Sequence, residues 1–323
     1  MKSIIKGVKM SDVSIAPATI AQNRPIHWQD PLPIYTYPSR NIIDGLWGDR
    51  SCNVNDFMRY HVPITISQDT PLEFRKETVE YFPTQFELNE LEEIVASNID
   101  TSKWLILIYE TPSISEMWWK FLDHYFKSGR KFASVMVGII QSPDVALGFT
   151  NLATDIIVGN DYTEPDRTFN YPIATLIMNI IEKRRNFTNM YFPRIIAFDE
   201  ELESYDGIIK ALALGADAVM IGKMAVKASE CAGEVFKYDK DLNDLIRFTD
   251  KELPEGAIRG LGSSKLKTYK PYRYINPDTK SYEVTYNLEE MTQELRANLN
   301  NILSVTGSEN IYKFRNNINV ILT

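Results

Sequence analysis

The stretch Ala211 to Lys223, ALALGADAVMIGK, constrains the fold most. It reads as the end of an apolar helix carrying Ile208, Ile209 and Leu212, a break at Gly215, and a strand from Ala218 to Ile221 that ends at Gly222. Every position of that strand is apolar. Such a strand is expected where both faces of a sheet are covered, as in parallel sheets flanked by helices.

The same unit recurs upstream. Leu105 to Tyr109 (LILIY) precedes a helical pattern over Ser113 to Lys127, with Met117, Trp118, Phe121, Leu122 and Tyr125 on one face. Ala133 to Ile140 (ASVMVGII) runs into Ser142-Pro143-Asp144, which reads as an N-cap, a first-turn proline and an acidic first-turn residue. Asp155 to Gly159 (DIIVG) is a third strand, Pro172 to Glu182 an apolar helix and Arg194 to Phe198 (RIIAF) a fourth strand; a helix around Gly207 to Ala213 completes the series. Strands alternating with helices at this spacing predict parallel βαβ units. Right-handed crossovers allow an open sheet or a closed barrel, and periodicity does not choose between them.

At 323 residues and 44% hydrophobic content, the chain buries a full core. A net charge of −8 excludes non-specific nucleic-acid binding, because no basic stripe is available to neutralise phosphates. The densest basic run, Lys183-Arg184-Arg185, lies where it complements the dipole at a helix C-terminus. Cys52 and Cys231 give no disulfide framework and fit a reducing cytoplasm. The start, MKSIIKGVKMSD, has no apolar signal-like core, and no run approaches membrane-spanning length. His27, His61 and His124 are scattered, without metal-site spacing.

Together with Ile258 to Ser263 (IRGLGS), the ALALGADAVMIGK stretch resembles the IMP dehydrogenase/GMP reductase family. The resemblance implies an α/β fold of the (β/α)8 TIM-barrel type. It places the barrel's opening segments at Ser11 to Pro17, Leu32 to Pro38 and Val62 to Phe74. A short helical stretch, roughly Thr70 to Ala96, then leaves no room for an inserted CBS pair, so the layout is that of GMP reductase, one barrel domain over residues 1–323. The tail from Ser281 carries Leu288, Met291, Leu295, Leu299 and Ile302 at helical spacing, a core-facing stripe. The resemblance is strong from Asp155 to Ser263 and over this tail.

Barrel enzymes work at the C-terminal ends of their strands. The family's nucleophile is a cysteine in a Gly-rich loop after the strand equivalent to Asp155–Gly159. Here that loop, Asn160 to Asn170 (NDYTEPDRTFN), has neither cysteine nor glycine, and Thr163 is its weak candidate oxygen nucleophile. After Arg194–Phe198 the family carries Asp-Gly-Gly, whose glycines admit a phosphate; this chain has Asp199-Glu200-Glu201. Asp199 matches the ribose-binding aspartate, while a carboxylate about 4 Å from a phosphate costs about 4 kcal/mol at an effective dielectric near 20. Gly222-Lys223 matches the second phosphate position, where Lys223 either offsets that charge or pairs with Glu200 or Glu201. Arg259, Gly260, Leu261, Gly262 and Ser263 match the base-contacting turn, and Gly233-Glu234 matches a Pro-Gly-Glu stretch. Tyr109 replaces a cofactor-facing aspartate, with Glu110 beside it, and Ile139 replaces a substrate-holding asparagine. Cys231 lies on the wrong loop to act as the nucleophile and reads as a buried structural thiol.

The resemblance implies NAD(P)-dependent oxidoreduction of a purine nucleotide, with NAD(P) the cofactor only if that reaction is retained. The residues instead predict a divergent protein linked to purine nucleotide metabolism in which cysteine-based activity is lost or altered. The alternative is an inactive nucleotide-binding or interaction protein that keeps the barrel. A purine nucleotide or nucleoside is the expected partner and a homotetramer the expected assembly. No metal site is expected, Asp199, Glu200 and Glu201 forming a marginal acidic candidate.

Overall fold

The computed structural model describes residues 7–17, 32–36, 65–66, 72–78, 83–86, 90, 105–108, 120, 135–153, 155–160, 171–185, 191–229, 235–239, 244–248, 258–260 and 281–322. The central sheet contains β2 (Ile34–Thr36), β3 (Thr84–Gln85), β4 (Leu105–Ile108), β5 (Val135–Ile140), β6 (Asp155–Gly159), β7 (Arg194–Phe198) and β8 (Ala218–Ile221). An antiparallel ribbon joins β1 (Val13–Ile15) to β13 (Val320–Leu322).

The order of the central sheet is β2-β8-β7-β6-β5-β4-β3, all parallel. Ile66 adds a further parallel bridge to Thr84, outside β3. From Ile66 onward each segment therefore pairs with the next in sequence, and the last strand returns to the first. The β2–β8 register sets Ile34 against Val219, Tyr35 against Met220 and Thr36 against Ile221. First-to-last pairing around an otherwise consecutive series is the connectivity of a closed barrel. The fold is the expected (β/α)8 type.

Every residue of β5, β6 and β8 is buried, which accounts for the absence of polar alternation in their sequences. The crossover helices include α2 (Pro143–Gly148), α3 (Ile173–Arg184) and α4 (Tyr205–Ala213). Pro143 occupies the first turn of α2 as predicted, but the Ser142 hydroxyl makes no capping bond; the Ser142 carbonyl instead accepts from Ala146 N at 3.0 Å. Ser204 does cap α4, its Oγ accepting from Gly207 N at 3.0 Å. Gly215 ends that helix at φ +109°, where an L side chain is strained, and Ala216 N closes the turn on Ala211 O at 3.0 Å.

The stretch read as helical from Thr70 to Ala96 is corrected. α1 (Leu72–Thr78) is helical, β3 then interrupts the stretch, and Glu90 is again helical among the described residues. Thr84 and Gln85 are polar yet buried, so hydrophobic pattern gave no strand signal. Buried Arg75 supports the corner: its Nη1 donates to Gln85 O (3.0 Å) and to Glu90 (2.7 Å), and its guanidinium lies 5.2 Å from the Phe86 ring centroid. The helix expected over Ser113 to Lys127 lies outside the described residues apart from Lys120, which is helical.

A second sheet, unforeseen in the sequence, is antiparallel in the order β10-β9-β11-β12, from β9 (Val235–Asp239), β10 (Asp244–Phe248), β11 (Ile258–Gly260) and β12 (Ser281–Glu283). The tail forms α6 (Leu288–Val305) and α7 (Ile311–Asn317). Asn287 and Glu290 build a capping box on α6, with Asn287 Oδ1 accepting from Glu290 N at 2.8 Å. Leu288, Met291, Leu295 and Leu299 are buried as expected; Leu303 completes the stripe, while Ile302 is half-buried beside it.

At the floor of the barrel, Asp155 opens β6 and Arg194 opens β7. Their side chains form a fork, Nε to Oδ1 at 2.5 Å and Nη2 to Oδ2 at 3.1 Å. The Asp155 side chain is 0% exposed and that of Arg194 49%. The hydrogen bond that Arg194 donates to Asp155 raises the Arg194 pKa and outweighs the opposing effect of burial. The asymmetry of burial gives an ordering. Arg194→Ala removes the cation from a buried carboxylate and is expected to cost about 3 kcal/mol, whereas Asp155→Ala leaves a guanidinium that reaches water and costs about 1–2 kcal/mol. Denaturant midpoints of the two variants check the ordering, and equal losses contradict it.

Candidate functional site

The mouth of the barrel is built from the ends of β6, β7 and β8. Gly159, the last residue of β6, pairs with Phe198 at φ +142°, and a Cβ there would stand 1.7 Å from Phe198 O. Its lack of a side chain brings the two strand ends together, and Asn160 N then donates to Phe198 O at 3.0 Å. The next side chains along, Asn160 and Asp199, are 1% and 6% exposed.

These two form the polar knot of the mouth. Asn160 Nδ2 donates to Asp199 Oδ2 (2.5 Å) and to Tyr171 O (2.9 Å). Asn160 Oδ1 accepts from Tyr171 N (3.1 Å) and Gln141 Nε2 (3.3 Å). Asp199 Oδ1 caps the 3-10 turn Glu200–Leu202 by accepting from Glu201 N at 2.9 Å. Both oxygens of Asp199 are thus committed inside the protein.

Beyond that turn the chain returns to β8. Glu203 Oε1 accepts from Gly222 N at 2.5 Å, and Glu203 Oε2 accepts from Met224 N at 2.8 Å. These amides open α5 (Lys223–Val226), where the first backbone N–H groups have no partner within the helix. One carboxylate therefore sits on the two N–H groups that follow β8. Lys223 begins α5 and is half-buried.

The carboxylate that meets Gly222 N and Met224 N is that of Glu203. Glu201 turns to the N-terminal segment, accepting from Met10 N at 2.8 Å, and Glu200 is exposed. Asp199, Glu200 and Glu201 do not gather as a metal site, and among the described residues no three His, Cys, Asp or Glu side chains do. Arg259 and Gly260 belong to β11 rather than to a turn: Arg259 pairs with Val235 and Tyr282.

That antiparallel sheet is anchored beside α5. Ala228 bridges Tyr286, Ser229 N donates to Tyr286 O at 2.8 Å, and Tyr286 Oη donates to Met224 O at 2.7 Å. Ile139 is buried within β5. Thr163, Leu261, Gly262, Ser263, Tyr109, Glu110, Gly233, Glu234, Cys52, Cys231 and the three histidines lie outside the described residues. Sequence reasoning missed Asn160 and Glu203. The signal for Asn160 was its place one residue past a Gly-terminated buried strand; Glu203 had only its place in an acidic run.

No protein-family model matches the sequence, and no curated protein matches it. Among solved structures the chain is similar to the inosine 5'-monophosphate dehydrogenase of Legionella pneumophila, at a TM-score of 0.69 and 16% identity over 98% of each chain. The chain therefore has the fold of an IMP dehydrogenase barrel. Among the described residues no helix is long and apolar enough to cross a membrane.

The knot yields a pH test. Asn160→Asp would set a second carboxylate beside Asp199, and two such groups share a proton, raising one folded-state pKa. A raised carboxyl pKa contributes stability that is present below the unfolded value near 4 and lost as pH rises through the folded value. The variant is expected to approach parent stability near pH 4 and to fall below it by about 2–4 kcal/mol at pH 8. A pH-independent loss contradicts the shared-proton account.

Proposed function

We propose that this protein is a divergent relative of the IMP dehydrogenase/GMP reductase barrels, linked to purine nucleotide metabolism, that has given up cysteine-based oxidoreduction and the nucleotide phosphate grip. The observation that carries the reading is the Glu203 carboxylate on Gly222 N and Met224 N. Backbone N–H groups at this place could hold a phosphate, and a carboxylate supplies the same charge and acceptor atoms internally. A phosphate entering beside Glu203 meets about 4 kcal/mol of repulsion at 4 Å, roughly a thousandfold in affinity.

The ligand contacts assigned to this mouth are Asp199, Gly222, Lys223 and the Arg259–Ser263 segment. Asp199 stays as an acceptor already oriented by Asn160 and the Glu201 amide. A purine nucleoside fits this arrangement better than a nucleotide, because it brings base and ribose without the phosphate. The nearby loop Asn160 to Asn170 carries no thiol, so no covalent step on a purine ring is assigned to it. NAD(P) enters only with the family reaction, and the residues here do not support that reaction. The second reading, an inactive barrel acting by assembly as a homotetramer, takes support from the internal satisfaction of the same amides.

A thermal-shift panel with IMP, GMP and XMP against their nucleosides tests the reading. Monophosphates are expected to give no stabilisation, and no IMP oxidation or GMP reduction is expected with either nicotinamide cofactor. Glu203→Gln removes the charge while keeping the shape, and monophosphate affinity is expected to rise about a hundredfold while nucleoside affinity stays level. Tight monophosphate binding to the parent chain overturns the proposal. Turnover that survives Cys52→Ser with Cys231→Ser would establish a different nucleophile and overturn the loss of chemistry.

A further inference from the structure

A cavity of about 880 Å³ opens at the end of the barrel opposite Asp199 and Gly222. Its walls are the C-terminal ends of α3 and α4 and the residues before β7, with α7 and β13 across them. The volume lies in the range of small-molecule sites. In a chain of net charge −8, this cavity gathers Arg184, Arg185 and Arg315, and among the described residues Glu182 is the one acidic residue lining it.

Two of the three guanidinium groups are held in place. The Arg184 guanidinium lies 5.2 Å from the ring centroid of Phe192, which is 7% exposed. Arg315 donates to Asp217 Oδ1, and Asp217 Oδ2 accepts from Ile195 N at 2.8 Å, fixing the pair to the start of β7. Arg315 Nε is buried without an acceptor. Neither Arg184 nor Arg185 forms an ion pair among the described residues, whereas neighbouring Lys183 is taken by Asp144. The α3 dipole accounts for about half a charge at its C-terminus, which is less than these guanidinium groups supply.

Two guanidinium groups without carboxylate partners match a dianion. A phosphate monoester is a dianion near neutral pH and accepts the parallel hydrogen bonds that a guanidinium fork offers. Apolar wall from Ile181, Leu214 and Ile318 lies within the same cavity and suits a carbon body. We propose that this floor cavity binds a small organophosphate, its phosphate against Arg184 and Arg185 and its body against that apolar wall. The site is separate from the mouth and does not depend on the function proposed above.

Calorimetric titration of the intact chain with phenyl phosphate, inorganic phosphate and phenol tests the proposal. Phenyl phosphate is expected to bind saturably, inorganic phosphate more weakly, and phenol not at all. Arg184→Gln with Arg185→Gln is expected to weaken phenyl phosphate at least about tenfold. Arg184→Lys with Arg185→Lys retains the charges without the fork and gives a smaller loss in the same direction, should the first pair disturb folding. The proposal is overturned by absence of saturable binding in the millimolar range or by binding insensitive to both arginine pairs. Inorganic phosphate binding as tightly as phenyl phosphate overturns the organophosphate assignment.

Discussion

The return of the last strand, β8, to the first, β2, governs the rest of the structure. It places β5, β6 and β8 inside the sheet, where every one of their residues is buried. Polar groups at both rims must then find partners within the protein, because a buried unpaired group costs about 1–3 kcal/mol. At the floor, Asp155 takes Arg194, and Asp217 takes both Ile195 N and Arg315. At the mouth, Asn160 takes Asp199, and Glu203 takes the amides after β8. The polar side chains at both rims therefore complete the barrel.

The two rims meet this requirement differently. The described mouth is satisfied by carboxylates: Asp199 and Glu203 each accept from backbone N–H groups near strand ends, where an anionic ligand would otherwise be the acceptor. The floor is supplied by guanidinium groups, and there the balance leaves donors over, including Arg315 Nε. Carboxylates thus accept from backbone N–H groups at the mouth, and arginines line the cavity at the floor.

The sequence revealed the strands whose interiors are buried on both faces. Asp155–Gly159, Arg194–Phe198 and Ala218–Ile221 are strands over the very residues expected, because two-sided burial leaves an apolar run after the charged residue that opens β6 and β7. Gly215 was legible as a helix stop because the positive φ that ends the helix favours glycine. Thr84–Gln85 was not legible, since a two-residue strand whose buried side chains are polar shows neither alternation nor an apolar run. The β9–β10 hairpin escaped for a related reason: VFKYD and DLIRF mix charged and apolar positions without a turn dipeptide of the common hairpin types. At the mouth, the acidic run after Arg194–Phe198 was readable, but not which acid does what. Glu200, Glu201 and Glu203 are equivalent in composition, and only the 3-10 turn capped by Asp199 aims them apart.

That division of labour is one of hydrogen bonding. A carboxylate placed among backbone amides gains charge-assisted hydrogen bonds, each stronger than a neutral one. Glu203 gains them from Gly222 N and Met224 N, while Glu201 gains one from Met10 N and so ties the N-terminal segment to the same turn. Val8 reinforces that tie through Thr175 on α3, its N donating to Thr175 Oγ1 at 2.6 Å. Glycine at 200 and 201 alone would release Met10 and leave Glu203 where it is. The amides after β8 would still be taken, and the N-terminal segment would have lost an acceptor. The acidic run works as one arrangement, in which the residue farthest along the sequence closes the site and an earlier one secures the chain that packs over it.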